Sequence, residues 1–376
     1  MTKVLIASDS FKGSASSSQV AEYIAKGIKK VDATIDIKKI PIADGGEGTI
    51  ESLLSACHGK SYTKKVVGAL GNAINATWGM MNDNEAVIEV AEAAGFIVDK
   101  SKVSPMKTTT YGVGQLIEEA LNHDVKTIYI GLGGSSTTDG GVGLAQALGV
   151  HFYDDNGQEV GLGGQELIKI KDIDISNIDG RLSKCQIIGL SDVTNPLTGE
   201  EGSAYVFSPQ KGATSDEVEQ LELGLQNLRR VSKKVLGKEY GDTPGAGAAG
   251  GIGFALLTLL GGQLESGIQK IMRLINLEEE IKRADLVITG EGQMDGQSIK
   301  GKAPIGIAKL AKKHKLPVIA ITGSIGNSIE KVYENGVDLV ISSTSSPMTL
   351  EEAVKNSDKL LDLAGMTAIK AYNLRN

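Results

Sequence analysis

Val4-Leu-Ile-Ala-Ser-Asp-Ser10, four apolar residues running into a polar turn, decides the fold. A run this short, with no alternation, is the pattern of a strand buried on both faces. From about Ser16 to Lys30, Val20, Ile24, Gly27 and Ile28 then recur at helical spacing. A second strand, Ile35 to Ile42, ends in Ala43-Asp-Gly-Gly-Glu-Gly-Thr49, and a helix follows through Leu53, Leu54 and Ala56. Strand, turn and helix twice over make a βαβα start, which predicts a parallel sheet.

The same rhythm returns at the other end of the chain. Asp285-Leu-Val-Ile-Thr289, Val318-Ile-Ala-Ile-Thr322 and Asp338-Leu-Val-Ile-Ser342 read as short buried strands, each ending in a polar turn rich in Gly or Ser. Between the two ends, Lys64 to Val90 reads as extended segments joined at Gly71-Asn72 and Asp83-Asn84, both hairpin signals. The pattern therefore predicts an α/β chain of two domains. One is a parallel-sheet domain built from both chain ends, residues 1–64 plus 271–376, and the other is an inserted mixed α/β domain, 65–270. Ligands of open parallel sheets gather beyond the carboxyl ends of the strands, so the polar turns form one expected wall of a site.

Composition narrows the function. The 376 residues are 41% hydrophobic, enough for two cores, while only 4% are aromatic and the net charge is −7. A chain that is acidic and poor in stacking surfaces argues against nucleic acid. Cys57 and Cys185 are too few for a disulfide framework and read as small buried hydrophobes in a reducing cytoplasm. The first apolar run is too short for a signal peptide, and no 18-residue apolar run follows, so no membrane span is expected. His58, His123, His151 and His314 share no metal-ligand spacing.

Several loops are candidates for chemistry. Ile128-Tyr-Ile-Gly-Leu-Gly-Gly-Ser-Ser-Thr-Thr-Asp-Gly-Gly-Val-Gly143 runs from a strand through a loop of Gly, Ser and Thr into an apolar helix. It can offer backbone N–H groups and a helix N-terminus to phosphate, or it can serve tight packing alone. The hydroxyls favour phosphate, because packing needs only the glycines. Asp9-Ser-Phe-Lys-Gly-Ser14 and Asp44-Gly-Gly-Glu-Gly-Thr49 follow neighbouring strands. Their carboxylates suit Mg²⁺ or a substrate hydroxyl, or else helix capping, while Lys12 suits phosphate or carboxylate. Asp192-Val-Thr-Asn-Pro-Leu197 places a carboxylate after an apolar strand, as a general base or as a turn residue before Pro196. Pro209-Gln-Lys-Gly-Ala213 reads as a solvated turn.

Two motif matches fail on context. Gly296 to Ala303 nearly spells a Walker A loop, but Ala303 stands where a Mg²⁺-binding Ser or Thr belongs. Lys300 and Lys302 still remain candidates for phosphate or carboxylate. Gly245-Ala-Gly-Ala-Ala-Gly250 matches the dinucleotide fingerprint, yet Tyr240-Gly-Asp-Thr-Pro244 before it is no buried strand. NAD is therefore not an expected cofactor, and a loop entering a closely packed helix is the better reading.

Taken together, these segments resemble the bacterial (class I) glycerate kinase family. They do so through the Asp9 to Ser14, Ala43 to Thr49, Thr109-Thr-Tyr-Gly-Val-Gly114, Gly131 to Gly141, Asp192 to Leu197, Pro209 to Ala213, Pro244 to Gly251 and Gly290 to Lys302 segments, in family order over nearly the whole chain. Ser136-Thr137-Thr138 departs from the family's usual Ala-Thr-Asn and leaves the glycine frame intact. The resemblance implies a Rossmann-like domain from both chain ends, an inserted α/β domain and an active site between them. It also implies ATP with Mg²⁺, D-glycerate as acceptor and 2-phosphoglycerate as product. 3-Phosphoglycerate, or a non-catalytic ligand-binding protein on the same scaffold, remain the alternatives. Phosphoryl-transfer chemistry then distributes the roles. Gly133, Gly134, Ser135, Ser136 and Thr137 would hold the nucleotide phosphates. Lys12, Asp44 and Asp192 would be catalytic, with Asp192 as the base. Ser10, Ser14, Glu47 and Lys302 would contact substrate, and Glu291 and Asp295 would hold Mg²⁺. Monomer and homodimer are both left open.

Overall fold

The computed structural model describes residues 1–95, 104–299 and 301–374. They form two compact units: 1–44 with 51–57 and 268–376, and 45–50 with 58–267.

The first unit is built on five strands: β1 (Lys3–Ser8), β2 (Asp36–Pro41), β3 (Leu286–Met294), β4 (Val318–Ile325) and β5 (Leu339–Ser342). They lie in the order β5-β4-β3-β1-β2 and every pair is parallel. The chain crosses from one half of the sheet to the other between β1 and β3, which makes that junction the topological switch point. Helix α1 (Ser17–Val31) starts at Ser16, whose side chain forms a capping box with Gln19, and buries Val20, Ile24 and Ile28 completely. After β3 come α2 (Ala303–Lys313), α3 (Leu350–Lys355) and α4 (Ser357–Asn373). Helices α1 and α4 meet through glycine: a Cβ on Gly27 would lie 1.9 Å from the Asp362 carbonyl oxygen, and one on Gly365 would lie 2.3 Å from that of Ile24.

One boundary differs from the expectation. The segment Gly290-Glu-Gly, read above as a turn, continues β3, because Glu291, Gln293 and Met294 pair with Thr322, Ser324 and Ile325 of β4. Gly290 is required there, since a Cβ would meet the Ile321 oxygen at 1.9 Å. Glycine at this place serves close packing between strands and does not end the strand.

The second unit holds a mixed six-stranded sheet in the order 263–265, 186–190, 127–131, 85–89, 73–82, 60–67. The first four strands are parallel, and the last two join as hairpins through the Gly71-Asn72 and Asp83-Asn84 turns. Its core is continuous across Ile88, Leu116, Ile130, Leu144, Phe152 and Phe254. The Gly245 to Gly250 match enters helix Ala248–Thr258 with positive φ at Ala249, Gly250 and Gly251 and with no strand before it. No helix among the described residues is long and apolar enough to cross a membrane. Cys57 and Cys185 form no disulfide and are half-buried, more open than the sequence suggested.

Candidate active site

At the carboxyl end of β1 the chain has to leave a buried strand and turn toward α1. Asp9 N–H still bonds the Gly290 oxygen at 3.0 Å, so Asp9 is held against β3 at the switch point. Its Oδ1 accepts from Ser10 N at 2.6 Å, and a tight turn closed by Phe11 and Ala15, with Gly13 at φ +75°, leaves Lys12 exposed. Burial, reinforced by the neighbouring Asp44 carboxylate, pushes the Asp9 carboxyl up to about 7 against the opposing pull of the Ser10 N–H and Lys12. The capping alternative for Asp9 does not hold, because Ser16 caps α1.

On β3, Glu291 Oε2 accepts from Lys302 Nζ at 2.7 Å, while its Oε1 is buried without a hydrogen-bond partner of normal geometry. Burial raises the pKa of Glu291, opposed chiefly by Lys302 and Ser298. Asp295 behaves differently. Its Oδ1 accepts from Gln297 N at 2.8 Å and its backbone N–H donates to Ser298 Oγ, so it shapes the turn. Lys300 lies outside the described residues.

These strand ends surround a cavity of about 660 Å³ within the first unit. Ser10, Lys12, Ser14, Asp44, Glu291 and Lys302 all line it, together with Asp9, whose carboxylate the sequence alone leaves between Mg²⁺, a substrate hydroxyl and helix capping. Asp295 is not on its wall. A volume of this size suits a small-molecule ligand.

The remaining predicted residues belong to the second unit. Of the glycine-rich loop, Gly134 is exposed and Gly133 half-buried, whereas Ser135, Ser136, Thr137 and Thr138 are buried. Ser136 Oγ donates to the Ala94 oxygen, Thr138 Oγ1 pairs with Ser208 Oγ, and Thr137 Oγ1 is buried without a partner. Several loop N–H groups are likewise committed: Gly133 to the Gly45 oxygen, Ser136 to that of Ala94, Gly140 to that of Gly250. Asp139, fully buried, accepts from Thr110 N and Oγ1 at 2.8 Å each and from Gly141 N at 3.1 Å, and burial raises its pKa.

Lys211 corrects the sequence reading most sharply. Expected in a solvated turn, it is 5% exposed, and its Nζ donates to Ser135 Oγ at 3.0 Å and to the Thr137 oxygen at 2.6 Å. Burial pulls its pKa down to about 7, only partly offset by Asp139. Nothing local in Pro209-Gln-Lys-Gly signals this, because its partners are supplied by a distant loop.

Asp192 follows strand 186–190 and its Oδ1 accepts from Ser266 Oγ at 2.5 Å. Glu47 is exposed and lines a second cavity of about 440 Å³ with Gly134 and Glu89. Glu89, which sequence reasoning missed, accepts from Ile50 N at 2.7 Å, and burial pushes its carboxyl up to about 7.

A parallel sheet with ionic side chains at its switch point defines an open α/β protein built to hold a small charged ligand. The chain belongs to the glycerate kinase family, whose model matches residues 4–373. It is 46% identical over 357 residues to the glycerate 2-kinase of Escherichia coli strain K12, covering 94% of each chain. It is 44% identical over 377 residues to a glycerate kinase of Halalkalibacterium halodurans, covering 99% of each. Among solved structures it resembles a crystal structure of a candidate glycerate kinase 2 from Salmonella typhimurium LT2, with a TM-score of 0.85, 41% identity, and coverage of 99% of this chain and 98% of that one.

Proposed function

We propose that the protein catalyses ATP-dependent phosphorylation of D-glycerate to 2-phosphoglycerate. One observation carries the reading in a chain of this family: the strand-end cavity of the first unit gathers two lysines and three carboxylates, Asp9, Asp44 and Glu291, around one space.

Phosphoryl transfer asks the protein mainly to position reactants and offset charge on the transferring group. Lys12 and Lys302 supply that charge for the phosphoryl oxygens and the glycerate carboxylate, with Ser10 and Ser14 as hydroxyl partners. Asp9 accepts the proton of the attacking hydroxyl. That oxygen then bonds to the γ-phosphorus, the bond to the β–γ bridging oxygen breaks, and ADP leaves with the electron pair. A base is most effective with a pKa near working pH, which supports Asp9 in the role that the sequence suggested for Asp192. Burial, with the neighbouring Asp44 carboxylate adding to it, keeps that pKa raised.

Mg²⁺ in kinases is held by one or two carboxylates together with phosphate oxygens. Among the described residues no three His, Cys, Asp or Glu side chains converge to hold a metal unaided. Glu291, with Oε1 buried and unpartnered, fits the smaller requirement, whereas Asp295 is committed to its turn. When bound, the ion would neutralise phosphate charge.

Phosphorus NMR of D-glycerate incubated with ATP, Mg²⁺ and the protein tests this. A new monoester resonance matching 2-phosphoglycerate is the expected result. The 3-phosphate would overturn the product, and unchanged ATP would overturn the activity.

A further inference from the structure

The cavity at the strand ends has two chemical halves, and glycerate accounts for only one of them. Asp9, Lys12, Glu291 and Lys302 lie at the ends of β1 and β3. Beyond the ends of β4 and β5 the hydroxyls of Ser343, Thr344 and Ser346 are joined by an apolar strip, made of Met348 just before α3, Leu350, Ala353 and Val354 of α3, and Leu361 of α4. Three strand spacings separate β1 from β5 in the sheet order, roughly 14 Å. A three-carbon hydroxy acid is polar throughout and far shorter than this span, so it has no use for the apolar half.

Helix α3 is itself unusual. It buries none of its residues, and Leu350 is 82% exposed although it faces the cavity. Its start is nevertheless firmly held, since Thr349 and Glu352 form a capping box. A fixed helix that turns Leu350, Ala353 and Val354 toward a cavity without covering them offers an apolar face across the cavity from the ionic end that carries Lys12 and Lys302. Polyanion at one end and flat apolar ring at the other is the chemistry of a nucleoside triphosphate.

We propose that the face formed by α3 and the start of α4 is the purine subsite for the ATP whose γ-phosphate reacts at β1 and β3. The inference rests on the ATP-dependent reading above and adds where the base sits: in the first unit, with the triphosphate running across the ends of β4 and β3.

Calorimetric titration of the whole protein with MgADP and, separately, with inorganic tripolyphosphate tests it without relying on turnover. Ala353→Trp, which fills the apolar half, should weaken MgADP about tenfold or more and leave tripolyphosphate unchanged. Leu350→Ser, at a site too exposed to unfold the chain, should weaken MgADP about threefold. MgADP bound equally by wild type and both variants, or tripolyphosphate weakened as much as MgADP, overturns the subsite, as does wild type that binds no MgADP. If phosphorus NMR shows no glycerate phosphate while Ala353→Trp still weakens MgADP selectively, the purine subsite stands and the glycerate reading falls.

Discussion

After β1 the chain keeps Ser10, Lys12 and Ser14 on the wall of a cavity, whereas after strand 127–131 it turns Ser135, Ser136, Thr137 and Thr138 into the protein. Both segments are glycine-bearing, hydroxyl-rich and follow parallel strands. What separates them is the work done by glycine. A Cβ on Gly13 would meet nothing within 4 Å, so that glycine serves only the positive φ of its turn. Around the other segment, a Cβ on Gly133 would lie 2.4 Å from Gly46 Cα, and one on Gly250, packed against the loop, would lie 2.0 Å from the Thr137 oxygen. Glycine used to turn leaves a loop open to ligand, and glycine used for close approach shuts it.

The largest effect expected from this difference is on turnover. If the open turn does the chemistry, Asp9→Asn should lower kcat about 10²–10⁴-fold with KM values changed only a few-fold. Asp192→Asn should cost much less. Steady-state kinetics of the two variants decide it, and the reverse ranking would return the role of base to Asp192.

Next comes stability. Gly250→Ala places a methyl against the Thr137 backbone at φ +72°, and a loss of about 3 kcal/mol or more is expected. Gly13→Ala pays only for its left-handed turn, roughly 1 kcal/mol. Denaturant melts of the two variants should rank them so; equal losses would mean that close approach is not what shuts the second loop.

Lys211 offers a smaller, pH-resolved effect. Its folded pKa, near 7, lies below the ordinary 10.5, so its stability contribution is complete above about pH 10.5 and is lost as pH falls toward 7. Over pH 7.5–10 wild type should therefore gain on Lys211→Met by about 3 kcal/mol. A difference that stays flat across this range would show the ammonium to be solvated, and the loop around it open.

The two regions also differ in how far their sequence betrays them. Val4 to Ala7, Leu286 to Thr289 and Val318 to Thr322 declare themselves as buried parallel strands because burial on both faces demands unbroken apolar runs. That Ser10, Lys12, Asp44, Glu291 and Lys302 share a cavity follows from the same pattern, since parallel strands deliver their carboxyl ends to one edge. The extension of β3 through Glu291 was hidden, because glycine beside a carboxylate looks like a turn until its pairing with β4 is known. Burial of Lys211 was hidden more deeply. Its environment is made by Ser135 and Thr137, more than seventy residues earlier, and no local pattern encodes such a contact. The raised pKa of Asp9 likewise comes from the packing that buries it and, after that, from Asp44, neither visible from its own segment.

The smallest effect bears most directly on the loop that composition favoured for phosphate. Thr137 Oγ1 is buried without a hydrogen-bond partner, so the hydroxyl incurs desolvation with no return in the unliganded fold. Thr137→Val removes that hydroxyl at nearly constant shape, and stability should stay level or rise by up to about 1 kcal/mol. If the loop is closed, the KM for ATP stays within about twofold, a change worth under half a kcal/mol. If instead the loop opens to receive a phosphate, the hydroxyl is an idle donor awaiting its acceptor, and its loss should raise that KM about tenfold, the weight of one hydrogen bond to a charged group. Thermal melts and ATP titrations of this single variant thus tell a glycine loop that packs from one that binds.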